Sequence, residues 1–240
     1  RAAALVLAAA VVLAAGLVRL LPCAPPPATR AEVPRPTRTL ALMLTTGPLR
    51  RTLYLTMAVA LSVAVLPVTA VASIGTLDVG PAAAGILTAA YGGGGLAASI
   101  AIMIRPLPGE ADRAMAILAA AVSAALVLVF VTTTFWAAVV AYAVAGVLNS
   151  YFFAATLAAR NEYAPAAARG QVFVWIGALK ITAGSAGTAL AGVLIGTGMH
   201  LPLVCAVVFT ITAAAASGAE RVLITRHVTS STRPERITRC

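Results

Sequence analysis

Lys180 is the only lysine in the 240-residue chain, and it stands inside an apolar run. That run extends from Gln171 to Gly196, QVFVWIGALKITAGSAGTALAGVLIG. It is long enough to cross a hydrocarbon core of about 30 Å. Lys180 follows Gln171 by nine residues, which places it about 13 Å deep at roughly 1.5 Å of rise per helical residue. An ammonium at that depth costs several kcal/mol unless it reaches the interface or faces a polar cavity. Two readings stay open: the long stem snorkels toward the headgroups, or the charge lines a cavity and meets a ligand. Asn149 poses a milder form of the problem in another apolar run, where Tyr142, Gly146, Asn149 and Phe153 share one helical face. Its amide needs either a neighbouring helix or a ligand.

Catalytic arrangements are not expected. Ser185 lies in a Gly-Ser element, Ala183-Gly184-Ser185-Ala186-Gly187, but a serine nucleophile needs a base beside it. The two histidines, His200 and His227, fall at the far edge of a run and in the C-terminal tail. Cys23, Cys205 and Cys240 are scattered and in no metal spacing. No phosphate-binding glycine-lysine loop is present, so an ATP-driven pump on this chain is excluded. A retinal lysine would need an intramembrane carboxylate as counter-ion, and the chain has none mid-span. Neither catalytic residues, metal nor cofactor are expected, and the chain reads as a non-enzyme.

The elements that must hold these residues follow from composition. The chain is 61% hydrophobic and 10% charged, against about 25% charged in soluble domains. We expect an all-α polytopic membrane bundle whose lipid bilayer is its solvent. Apolar windows mark seven spans, near 2–21, 53–75, 82–104, 114–133, 135–158, 172–197 and 201–219. Residues 22–52 form the longest connection, rich in Pro and Arg, and read as a linker with a short interfacial segment after Leu40. Residues 220–240 read as a basic tail.

Charge orients the bundle. Arg30, Arg35, Arg38, Arg50 and Arg51 lie in the linker, Arg105 and Arg113 flank a later loop, Arg160 and Arg169 flank another, and Arg221 to Arg239 fill the tail. These connections alternate with ones around Asp78, Thr134 and Gly198–His200 that carry no Lys or Arg. By the positive-inside rule the linker, the arginine-flanked loops and the tail are cytoplasmic, in a multi-pass cell-membrane protein. The net charge of +10 is topogenic on this reading and calls for no nucleic acid.

Small residues and proline complete the pattern. Gly92, Gly93, Gly94 and Gly95 follow Tyr91; each weakens a helix by close to 1 kcal/mol relative to Ala. They permit either close helix crossing or a hinge. Gly184, Thr188, Gly192 and Gly196 recur every four residues, a stripe suited to close packing. Pro67 is expected to bend its span about two-thirds of the way across, freeing a carbonyl that another group must satisfy.

With linker, alternating loops and helix count in place, the chain resembles the C-terminal part of a major facilitator superfamily transporter. Span 2–21 would be the last helix of the first half, 22–52 the central loop and 53–219 the six-helix second half. The loop Asn161-Glu162-Tyr163-Ala164-Pro165 to Arg169-Gly170, with the continuation AGSAGTALAG, resembles the segment around the penultimate helix of drug-exporter-like members. The loop RPLPGEADR, Arg105 to Arg113, occupies the place of the family's basic and acidic loop motif but lacks its Gly-Arg pair. The resemblance implies a transporter that rocks two halves about a central site, with export ahead of uptake as the direction. It implies that a six-helix N-terminal half is missing, and that a small-molecule substrate binds in a cavity for which Lys180, Asn149, Tyr142 and Tyr91 are candidates. A lysine there favours an anionic or polar ligand group. A non-transporting, receptor-like membrane module is the remaining alternative.

Overall fold

Runs of Ala, Val, Leu and Ile interrupted by few charges have one way to satisfy their backbone in lipid, which is to coil into helices. The computed structural model describes residues 2–20, 34–107 and 109–231, and no strand occurs among them. The first helix, α1 (Ala2–Arg19), belongs to a unit that ends at Pro34. The second unit begins at Arg35 and holds α2 (Pro36–Thr45), α3 (Gly47–Val63), α4 (Leu66–Ala72), α5 (Ala82–Ile104), α6 (Ala111–Val131), α7 (Phe135–Tyr163), α8 (Arg169–Leu194) and α9 (Leu201–Ser231).

Six helical segments among the described residues are long and apolar enough to cross a membrane, α3 and α4 together making the first. They coincide with six of the seven expected spans. The remaining one, α1, is an apolar helix of 18 residues. Large apolar side chains such as Val174, Ile181 and Val193 on α8 point outward, as a lipid-facing surface requires and a water-facing one does not.

Three boundaries differ from expectation. Residues 34–52 of the expected linker are ordered into α2 and the first turn of α3, while 22–33 lie outside the described residues. Helix α2 is amphipathic: it buries Thr39 and Met43 against α3 and α8, and Thr39 Oγ1 donates to Gln171 Oε1. Helix α9 continues past residue 219 to Ser231, so the first half of the expected tail is helical; residues 232–240 lie outside the described residues. Arg160 to Tyr163, expected in a loop, form the last turn of α7. In each case a charged or polar residue ends the hydropathy window while the helix runs on.

Inside the bundle α5 packs chiefly on α7, α3 on α8 and α9, and α6 on α7 and α9. One core cluster joins Leu66, Leu87, Leu126, Tyr142 and Leu203. Another joins Leu55, Val59, Met115, Val122 and Phe152.

Candidate functional site

Two close helix crossings build the site. At the α5–α7 crossing, a Cβ on Gly146 would stand 1.9 Å from the Tyr91 carbonyl oxygen, and one on Gly94 would stand 2.1 Å from that of Ala143. Only hydrogen fits at either position, so the two backbones touch. At the α3–α8 crossing, Gly187 plays this part against Leu61, at 2.1 Å, and Gly184 lies near Ala60 at 3.9 Å. The expected stripe is therefore used in part: Gly192 faces open space, as do Gly92 and Gly93. Helix α5 runs unbroken through all four glycines, and Gly94 is used for close packing on α7.

The Pro67 bend is present as a break at Ala64 and Val65, after which α4 starts with Pro67 in its first turn. There its missing N–H is least costly. Two side chains donate to carbonyls at the break: Thr188 Oγ1 to Ala64 at 3.2 Å, and the Tyr142 hydroxyl to Leu66 at 3.0 Å. Tyr142 is 1% exposed. It braces the bend, and its hydroxyl proton is already committed.

Between the crossings lies a cavity of about 380 Å³ lined by Pro67, Tyr91, Tyr142, Asn149 and Lys180, with Thr88 and Thr188 adding hydroxyls. All four candidate binding residues thus meet around one space, from α5, α7 and α8. Asn149 makes no hydrogen bond among the described residues, so the helix–helix bond that could have claimed its amide is not formed. Lys180 is half-buried, and its Nζ sits 3.9 Å from the centre of the Phe153 ring. Phe153 is ten residues short of the α7 terminus at Tyr163, about 15 Å along the axis. The ammonium is therefore held on an aromatic face within the span, and does not reach the helix end. No Asp or Glu pairs with it among the described residues; the charge it feels is Arg160, a second cation.

No family model matches the chain, and comparison with curated proteins finds no match. Its own chemistry must carry the argument.

Sequence reasoning missed a second constellation, at the arginine-rich end. Arg51, at the head of α3, donates from Nη2 to Asp112 Oδ2 at 2.8 Å and from Nε to Asp112 Oδ1 at 3.0 Å. Its Nη1 reaches Glu220 on α9 at 3.3 Å. Glu220 also accepts from Arg50, while Arg221 pairs with Glu110 at 2.7 Å and lies 3.4 Å from Asp112. Arg51 and Asp112 are 4% and 2% exposed. The network ties together the starts of α3 and α6 and the charged stretch of α9. The available signal was complementarity: Arg50-Arg51, Glu110-x-Asp112 and Glu220-Arg221 all fall at one end once the crossings are counted.

The other chemical readings gain nothing. Ser185 is exposed on α8, and His200 packs edge-on against Phe130, ring centres 5.2 Å apart. No cluster of three or more His, Cys, Asp or Glu suited to a metal occurs among the described residues.

Proposed function

We propose that this chain is the second half, with one further helix, of a major-facilitator-like secondary transporter that exports a small solute by alternating access. The observation that carries the reading is the convergence of Lys180, Asn149, Tyr91 and Tyr142, from three helices, on one cavity. A purely structural bundle has no use for an ammonium that costs about 3 kcal/mol near mid-span. A solute-binding cavity does. On this reading the arginine-rich end is cytoplasmic in the cell membrane, and the partner that completes the central site is a six-helix N-terminal half.

Threading is tested first. With native cysteines replaced, single cysteines at Asp78 and Arg226 are expected to react with an impermeant maleimide from opposite faces of the membrane. Labelling of both from one face overturns the reading. In the intact transporter, Lys180→Ala is expected to slow solute flux at least tenfold while membrane-inserted yield stays within about twofold. Unchanged flux would remove Lys180 from the site.

A further inference from the structure

Lys180 shares the Phe153 ring with a second cation that has no carboxylate partner among the described residues. Arg160, 3% exposed on α7, has its Nε buried without a hydrogen-bond partner. The side-chain contact shown for it is Nη2 to Thr156 Oγ1 at 3.4 Å. Its guanidinium carbon lies 6.0 Å from the centre of the Phe153 ring and 5.6 Å from that of Phe173. The Phe153 ring is thus shared by two cations, Lys180 at 3.9 Å and Arg160.

Among the described residues, the acids that would neutralise them are placed elsewhere. Glu110, Asp112 and Glu220 are taken by Arg50, Arg51 and Arg221. Asp78 lies in the turn between α4 and α5, beyond the opposite end of the span. Glu162 lies beside Tyr163.

Two desolvated cations that repel each other are both relieved by one anion. A guanidinium fork with an ammonium beside it is also the donor set that suits a carboxylate, sulfonate or phosphonate. Phe153, whose ring both cations share, is 37% exposed, so this aromatic residue is partly open to a ligand. From Lys180 the cavity continues along Pro67 and Tyr91, a largely apolar wall with Asn149 as a polar point. We propose that Lys180 and Arg160, arranged around Phe153, bind the anionic head of a small organic anion whose apolar body occupies the cavity. This deepens the transporter reading and rests on it for the site's purpose. The shared chemistry, an oxyanion on an apolar body, could come from a dissolved solute or from a lipid headgroup, and the experiment separates them.

The intact transporter, with the half that completes the central site, is placed in phosphatidylcholine nanodiscs and binding of radiolabelled benzoate is measured. Saturable binding is expected, displaced by benzenesulfonate and phenylphosphonate but not by benzylamine or benzyl alcohol. Lys180→Met and Arg160→Gln are each expected to weaken it at least tenfold, and Arg160→Lys, which keeps the charge, less. Lys180→Met, at a half-buried position, is the independent second variant, and each variant must match the parent elution profile. Absence of saturable binding for all three anions overturns the proposal, as does equal displacement by benzylamine or unaltered affinity in both variants. In discs containing phosphatidylglycerol, a Lys180-dependent loss of benzoate binding identifies a headgroup as the anion and upholds the site. Anion binding without flux in the intact protein leaves this site standing and removes the transporter reading. Lys180-dependent flux without anion binding does the reverse.

Discussion

At the arginine-rich end, the buried guanidinium of Arg51 has carboxylates on two sides, Asp112 and Glu220. On α7, the buried guanidinium of Arg160 has a threonine hydroxyl and two aromatic rings. The residue type is the same and the exposure nearly so, 4% against 3%. Both side chains are shut away from solvent, and they differ in what offsets that burial. Around Arg51 the protein supplies the anions itself and thereby fixes three helices to one another. Around Arg160 and Lys180 it leaves the charge uncompensated by any acid among the described residues. Paired charge in this bundle holds architecture; unpaired charge marks the place where something else is expected to bind.

The largest effect that would break this comparison comes from stranding Arg51. Asp112→Ala removes the three contacts between the two residues and leaves a buried cation with only Glu220 at 3.3 Å; breaking a buried pair typically costs about 3–5 kcal/mol. A steep fall in the half-unfolding temperature in detergent, or failure to insert, is expected. Arg160→Gln is the matched control: it strands no partner charge, so the temperature should hold or rise. Equal destabilisation by the two variants would show that Arg160 is as structural as Arg51, and the distinction would collapse.

How much of this was legible in the sequence depends on what kind of signal each feature leaves. The six long apolar helices were legible because hydropathy is a property of single segments. The cavity residues were legible because Lys180, Asn149, Tyr91 and Tyr142 are polar in runs that otherwise face lipid. The contacts of Gly146 and Gly187 were not, because which side of a helix meets its neighbour is decided by the pair. The four-residue stripe led to Gly192, which faces open space, and not to Gly187. The Arg51–Asp112–Glu220 network was hidden for a related reason. Hydropathy treats a charge as the end of a span, so residues that lock the bundle from within looked like topogenic flanks. The same effect set α3 six residues late and cut α9 short at residue 219.

A smaller effect sharpens the comparison within the network. Glu220 is 20% exposed and shared between Arg50 and Arg51. Glu220→Gln keeps the shape and leaves Asp112 to hold Arg51, so a loss of about 1 kcal/mol is expected, the net scale of one ordinary hydrogen bond. Chemical denaturation in mixed micelles would read it. A loss as large as that of Asp112→Ala would mean that the network acts as one unit with no dominant pair.

The smallest effect is expected at the rim. Arg50 is 44% exposed on its side chain, and solvated ion pairs of this kind contribute about 0–1 kcal/mol. Arg50→Gln should shift stability by no more than about 0.5 kcal/mol. Its effect should also vanish in 1 M salt, where charges are screened beyond about 3 Å. The Arg51–Asp112 pair, closed off from solvent, should keep its contribution in that salt, because counter-ions cannot enter where water does not. Salt thus separates the two kinds of pairing without altering a residue. If 1 M salt weakens the parent as much as Asp112→Ala does, then solvent reaches Arg51, and its guanidinium can no longer be set beside Arg160 as a cation in the same environment with a different partner.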